Sequence, residues 1–222
     1  MSNKQSGNSP ERLPFMAWVI AFLIAIILIA GAAKLLRSSE RKSSDSFPPI
    51  GTVPDFQFTT QEGKPLSRHD LLGKVWVIDF IFTRCPGPCP LMSSRMAEIS
   101  KELKKAKDVR LVSVSIDPEH DTPQVLAEYA SRLQADPTRW IFLTGPKKEI
   151  DEFTTKGMLQ ALSTDPTNPA ATVHSTRFLV IDREGQIRIL RKLDEPELVQ
   201  KLLMDIGSLL REPFSKSSNL AP

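Results

Sequence analysis

Apolar residues in this chain fall first into one unbroken run and then into short blocks separated by turn-forming residues. From Phe15 to Ala33 no side chain is charged or strongly polar. A helix rising about 1.5 Å per residue would carry that run across the roughly 30 Å hydrocarbon core of a bilayer. Trp18 near one end and Lys34 and Arg37 at the other match the boundaries of a membrane helix. The pattern therefore predicts a polar leader over residues 1–14, a transmembrane anchor over 15–36 and a flexible linker over 37–46, where Ser38 to Ser46 contains no apolar residue. Ala30-Gly31-Ala32 has the small side chains of a signal-peptide cleavage site, but the long leader, with only Lys4 and Arg12 as basic residues, favours an uncleaved anchor.

Beyond Phe47 the periodicity changes repeatedly. Pro54 to Phe58 with Glu62-Gly63-Lys64 predicts a short hairpin. Val75 to Phe82 reads as a buried strand, Pro90 to Lys107 as a helix, and Val109 to Ile116 as a second strand. A helix from Thr122-Pro123 to about Leu133, a strand from Trp140 to Leu143 and a helix from Lys147 to Lys156 follow. Thr176 to Ile181 and Gln186 to Leu190 form a hairpin turning at Arg183-Glu184-Gly185, and a last helix runs from Glu195-Pro196-Glu197 to about Leu210. Strands alternating with helices in this order predict a three-layer α/β domain over residues 47–210 around a mixed sheet, with a tail over 211–222. Residues 158–173 are left as a long loop, a kind of segment that is often functional.

Charge changes the picture only when divided by region. Of 29 Lys and Arg and 26 Asp and Glu residues, six basic and three acidic ones lie before Phe47, which leaves 23 of each sign beyond it. The domain is neutral by count, so the pI of about 8.9 gives no footprint for a nucleic acid. Four basic residues follow the apolar run closely and two precede it, which by the positive-inside tendency would leave the domain in the cytoplasm.

The chemistry concentrates at the end of the first long strand. Cys85 and Cys89, the two cysteines of the chain, stand in Arg84-Cys85-Pro86-Gly87-Pro88-Cys89-Pro90, at the carboxyl edge where open α/β sheets place their ligands. Two thiols there can cycle between dithiol and disulfide or hold a soft metal such as Cu(I). They can also be a structural disulfide or small buried apolar residues. Pro86 and Pro88 stiffen the spacer, and Gly87 is expected to permit an unusual turn. The helix start at Pro90 is expected to favour the Cys89 thiolate through its unpaired amides. His174, between the long loop and the next strand, is a candidate third ligand, whereas His69 and His120 look like solvated residues. Asp79, inside the strand, is either a buried proton acceptor or a satisfied carboxylate. Met92 and Met158 are expected in the core.

In this order of motifs the chain resembles the Sco family, also called SenC or PrrC-like, of membrane-anchored copper proteins with a thioredoxin-like fold. The motifs are Asp79-Phe80-Ile81-Phe82-Thr83-Arg84-Cys85-Pro86-Gly87-Pro88-Cys89-Pro90, Ser115-Ile116-Asp117-Pro118-Glu119-His120-Asp121-Thr122-Pro123, Phe142-Leu143-Thr144-Gly145, and His174-Ser175-Thr176-Arg177-Phe178-Leu179-Val180-Ile181-Asp182. The resemblance implies a thioredoxin-like mixed sheet with helices on both faces, copper as Cu(I), Cu(II) or both, and Cys85, Cys89 and His174 as its ligands. Asp117 is a candidate additional ligand for Cu(II), and Asp117 with Asp121 would form an acidic loop near the site or a partner. No catalytic residue is implied. The function implied is delivery of copper to an apo acceptor, the copper-bearing subunit of cytochrome oxidase. The domain would face the periplasm from the inner membrane, or the intermembrane space from the mitochondrial inner membrane. The alternatives are a thiol-disulfide oxidoreductase that uses Cys85 and Cys89 on a partner, and a copper-dependent sensor.

Overall fold

The computed structural model describes residues 18–19, 22–26, 47–158 and 176–214. The chain divides into Met1–Ser46 and Phe47–Pro222. In the first unit the described residues are helical, and they cover only part of the expected membrane run. Among the described residues no helix is long and apolar enough to cross a membrane.

In the second unit the strands are β1 (Gly51–Thr52), β2 (Gln57–Thr60), β3 (Pro65–Ser67), β4 (Val75–Ile81), β5 (Val109–Ser115), β6 (Trp140–Thr144), β7 (Arg177–Ile181) and β8 (Gln186–Lys192). The helices are α1 (Arg68–Leu71), α2 (Cys89–Glu102), α3 (Pro123–Arg132), α4 (Lys147–Glu152) and α5 (Leu198–Arg211). One mixed sheet runs β1-β8-β7-β4-β5-β6-β2-β3. β4, β5 and β6 are mutually parallel, and every other pair is antiparallel.

β4 lies between β5 and β7, and all seven of its residues are buried. This is why its sequence is apolar at every position but Asp79, where a half-exposed strand would alternate. Its side chains still divide by parity. Val75, Val77 and Ile81 join Met96, Leu126, Phe142 and Leu202 in a core under α2, α3 and α5. Trp76, Ile78 and Phe80 join Phe58, Ile150, Phe153 and Met158 in a core on the opposite face. The helices thus cover both faces, and Met92 and Met158 are core residues.

Four expectations change at element ends. The helix expected to reach Lys107 stops at Glu102. The one expected over Lys147 to Lys156 is α-helical only to Glu152 and π-helical over Phe153–Met158. There the Thr154 hydroxyl donates to the Ile150 and Asp151 carbonyls at 2.8 and 3.1 Å, competing with the regular ladder. The last helix begins at Leu198 because Glu197 adopts a left-handed conformation, φ 56°. The expected tail from residue 211 is tied down at its start: Glu212 takes two hydrogen bonds from Arg188, at 2.9 and 3.0 Å, and Arg183 donates to the Leu210 carbonyl. The hairpin turn forms as expected, with Gly185 at φ 78° and Asp182 Oδ1 accepting from the Glu184 and Gln186 amides. β1, only two residues long, adds to β8. β2 inserts beside β6 as well as pairing β3.

Candidate metal centre

β4 ends at Ile81, and the chain leaves the sheet as Phe82-Thr83-Arg84 before the thiols. A turn closes as the Cys85 amide donates to the Phe82 carbonyl at 3.2 Å. Cys89 is the first residue of α2, with Pro90 second, one residue earlier than the sequence pattern placed the start. Both cysteines are free thiols. Cys85 is half-buried and Cys89 is 5% exposed. They face a cavity of about 310 Å³ whose other walls include Phe82, Pro88, Met92, Ile116 and Thr176. The wall is apolar, and the two thiols and the Met92 thioether are its soft donors among the described residues.

The two thiols are unequal, and in the opposite sense to the helix-start expectation. Burial pushes the Cys89 thiol up to about 12, and its hydrogen bond to Cys85 adds to this. At Cys85 burial acts upward too, but the Cys89 thiol and the amides of Cys89 and Gly87 donate to its sulfur and hold it below the ordinary thiol range. The amides at the start of α2 therefore serve Cys85, because the Cys89 side chain turns into the core. Gly87 does not adopt a positive φ. A Cβ there would meet only Cys85 Sγ, at 3.9 Å. The unusual turn expected of this glycine is absent, and the two prolines shape the spacer.

The loop after β5 is fastened to the cysteine loop by Asp121. This carboxylate is fully buried. It accepts from the Thr83 amide at 3.0 Å, the Thr83 hydroxyl at 2.5 Å, the Ser115 hydroxyl at 2.5 Å and His120 Nδ1 at 2.9 Å. Burial raises its proton affinity, but these hydrogen bonds outweigh it and hold the carboxyl below its usual range. Asp117 accepts from Arg84 Nε at 2.9 Å, making a second tie between the same loops. Ligand atoms of Asp117, His120 and Asp121 lie within 4.8 Å of one another. With Asp121 saturated by donors and Asp117 paired to Arg84, the triplet is occupied in holding the loop. Of the two carboxylates expected in the acidic loop, Asp117 is half-buried at the surface and Asp121 points inward. His120, which looked merely solvated, is 40% exposed along its side chain and bonded to Asp121. His69 is exposed.

Asp79 is 0% exposed and lies in β4 on the α2 side of the sheet. Ser113 Oγ donates to its Oδ1 at 2.6 Å, and Trp140 Nε1 donates to Ser113 Oγ at 3.0 Å. Oδ2 has no hydrogen-bond partner among the described residues. Burial pushes this carboxyl up to about 7, against the Ser113 hydrogen bond. Among the described residues the carboxylate is thus satisfied at one oxygen and not at the other. Sequence reasoning missed the partners Ser113 and Trp140, although a serine amid the apolar residues of β5 was a visible signal.

His174 lies outside the described residues. Thr176, at the entry to β7, lines the same cavity as the two sulfurs.

A dithiol in an apolar cavity, at the carboxyl edge of a mixed sheet and beside a helix start, is the arrangement of a thioredoxin-like protein, and its chemistry suits a soft metal or a second sulfur. The SCO1/SenC family model matches residues 46–211, and the chain belongs to that family. The SCO1 protein homolog of Bacillus subtilis is 37% identical over 137 residues, covering 61% of this chain and 70% of its own. BsSco, a member of the Sco family of cytochrome c oxidase assembly proteins in which a disulfide switch was identified, superposes with a TM-score of 0.61. It is 33% identical, over 72% of this chain and 95% of its own. Bradyrhizobium japonicum ScoI with copper bound gives a TM-score of 0.56 at 26% identity, over 71% and 99%.

Proposed function

We propose that the chain is a membrane-anchored copper metallochaperone. It holds copper through the thiolates of Cys85 and Cys89 and the imidazole of His174, and passes it to an apo acceptor, the copper-bearing subunit of cytochrome oxidase. The observation that supports this most is the pair of free thiols sharing one apolar cavity, one sulfur half-exposed and the other buried. Cu(I) favours few, soft ligands, and two thiolates with one imidazole meet that preference. In sequence His174 stands two residues before Thr176, which lines the cavity. Copper-bound ScoI and the assembly role of Sco proteins support the cargo and the destination.

The residues divide the work. Cys85, with the lower proton affinity, gives up its proton more readily than Cys89, and its partial exposure makes it the entry ligand. Cys89 has to lose a proton inside the core, so it completes the site only once a cation is present. Asp121 and Thr83 keep the cysteine loop in place while ligands exchange. Asp117 is engaged with Arg84, and would join a Cu(II) ion only by giving up that pair. The domain faces the periplasm in this reading, with the apolar run of residues 15–33 as its anchor.

A second reading, thiol-disulfide exchange with a partner, is favoured by the unequal thiols and by the disulfide switch of BsSco. Loading the reduced chain with Cu(I) separates the two. One ion per chain, lost in both Cys85→Ser and His174→Ala, supports the chaperone. Absence of binding, together with rapid reduction of a disulfide substrate, supports the exchange reading. A reporter active on one side of the membrane checks orientation, and activity in the cytoplasm alone would refute the proposed location.

A further inference from the structure

The domain is neutral by count, but its charge is not evenly spread. Residues 101–110 carry five basic side chains, Lys101, Lys104, Lys105, Lys107 and Arg110, against Glu102 and Asp108, which leaves 18 basic and 21 acidic residues elsewhere beyond Phe47. This segment closes α2 and leads into β5. Hydrogen bonds fix it at the amino ends of the parallel strands: the Asp108 carbonyl accepts from the Val75 amide at 2.9 Å, and Arg139, at the entry to β6, donates to the Leu103 and Lys104 carbonyls. The thiols lie at the opposite ends of β4 and α2. Seven residues of strand and 14 of helix make that a separation of about 20 Å.

Three features set this pole apart from an ordinary solvated face. The four lysines are exposed, and none has an acid within ion-pair distance among the described residues, whereas Lys64, Lys147 and Lys201 are paired. A cavity of about 260 Å³ opens among them, lined by Lys101, Lys104, Gln134, Asp136 and Arg139, and its one acid accepts from the Thr138 amide and hydroxyl at 2.9 and 2.7 Å. Phe47, where the chain enters the domain, lies at the same pole. Its carbonyl accepts from Arg188, which also holds Asp182 at 2.9 Å, and the carbonyl of the next residue, Arg183, accepts from the Gly73 amide just before β4.

We infer that the lysine pole rests on anionic phospholipid headgroups of the bilayer that carries the anchor, and so holds the copper thiols facing away from that surface. The inference depends on the anchored reading above and goes beyond it by assigning the face of the domain that meets lipid. Attraction of a lysine to an anionic surface falls off within a Debye length, about 8 Å at physiological salt. The four lysines therefore act together only when this pole is turned to the bilayer. Entry of the chain at the same pole favours the bilayer over an acidic protein as the occupant.

The test uses the full chain reconstituted in vesicles of phosphatidylcholine alone, or of phosphatidylcholine and phosphatidylglycerol in equal parts. A membrane-impermeant amine reagent is applied and its attachment read lysine by lysine by mass spectrometry. In the anionic vesicles labelling of Lys101, Lys104, Lys105 and Lys107 should fall about threefold or more relative to the zwitterionic ones. Lys148 and Lys192, exposed beyond the ends of β6 and β8 on the thiol side, should not change, nor should alkylation of Cys85. Salt at about 1 M, which confines the attraction to about 3 Å, should restore the labelling. Lys104→Glu combined with Lys107→Glu should abolish protection of Lys101 and Lys105, with thermal unfolding in detergent unchanged. Equal labelling of the four lysines in both vesicles overturns the inference and leaves the anchored reading standing. Protection that appears only when the apo acceptor is added gives the face to an acidic protein, and equal protection by free glycerol phosphate in zwitterionic vesicles reduces it to a phosphate site; either result overturns the bilayer as occupant. Failure of the chain to float with both kinds of vesicle overturns the anchored reading and this inference together.

Discussion

Replacing Asp121 with alanine should cost more stability than any exposed acidic substitution in the chain, and the cost can be worked from its contacts. The carboxylate is 0% exposed and takes four hydrogen bonds. His120, at 40% side-chain exposure, can turn to water when the carboxylate goes. The Ser115 hydroxyl, in a fully buried residue, cannot, and the amide and hydroxyl of Thr83 can do so only in part. A buried polar group left without a partner costs about 1–3 kcal/mol. Because the Ser115 hydroxyl still accepts from the Asp117 amide at 3.1 Å, three partial penalties give about 2–4 kcal/mol, a large fraction of the roughly 5–15 kcal/mol by which domains are stable. Urea unfolding of the metal-free chain should show a lower midpoint with an unchanged slope. A double-mutant cycle with Thr83→Val should return a coupling of about 1–2 kcal/mol, since both changes remove the bond from the Thr83 hydroxyl to Asp121. The pH dependence has a definite sign. The folded carboxyl lies below its unfolded value, so its contribution is complete above about pH 4 and disappears as pH falls through the folded value. The gap between wild type and Asp121→Ala should therefore narrow in acid. A midpoint change worth less than about 1 kcal/mol at pH 7, or a gap that widens in acid, would refute the account of this loop.

Three further outcomes follow from other parts of the structure. Arg188→Met should destabilise the domain by about 3–5 kcal/mol, because it leaves Asp182 and Glu212, 7% and 15% exposed along their side chains, without their cation; thermal unfolding checks this, and a loss below about 1 kcal/mol would contradict the tie to the C-terminal segment. Iodoacetamide should label Cys85 first at pH 7, and in Cys85→Ser the buried Cys89 should react far more slowly than an unfolded-chain thiol, with the order read by mass spectrometry. Gly87→Ala should fold with a stability within about 0.5 kcal/mol of wild type, since no left-handed backbone is required there and its new carbon has room; a larger loss would mean that the spacer depends on glycine after all.

What could be read from the chain alone was set by the range over which its signals act. β4 declared itself because strand burial and the thiols that follow are contiguous, and the parallel units β4-α2-β5-α3-β6 repeat that local grammar. The two-residue β1 and the four-residue β2 did not reveal their neighbours, because β8 and β6 hold them through backbone bonds between segments far apart in sequence. In sequence Asp121 reads as one of two carboxylates, with Asp117, of an acidic loop near the site or a partner. Its burial depends on Thr83, 38 positions earlier. The thiol inequality was misjudged for a related reason: the helix start was legible, but not which sulfur its amides would meet. Asp79 stood out as an acid in an apolar strand, and only the pairing with β5 shows that one of its oxygens is bonded and the other is not.

Copper transfer tests the central claim most directly. The reduced chain, loaded with one equivalent of Cu(I), is mixed with the reduced apo copper-binding domain of a cytochrome oxidase subunit, the two are separated, and copper is counted in each. The account predicts that the ion moves to the acceptor, and that Cys85→Ser, unable to load, delivers none. Retention of copper by the chain while it reduces an oxidised acceptor would contradict delivery and make thiol exchange its function.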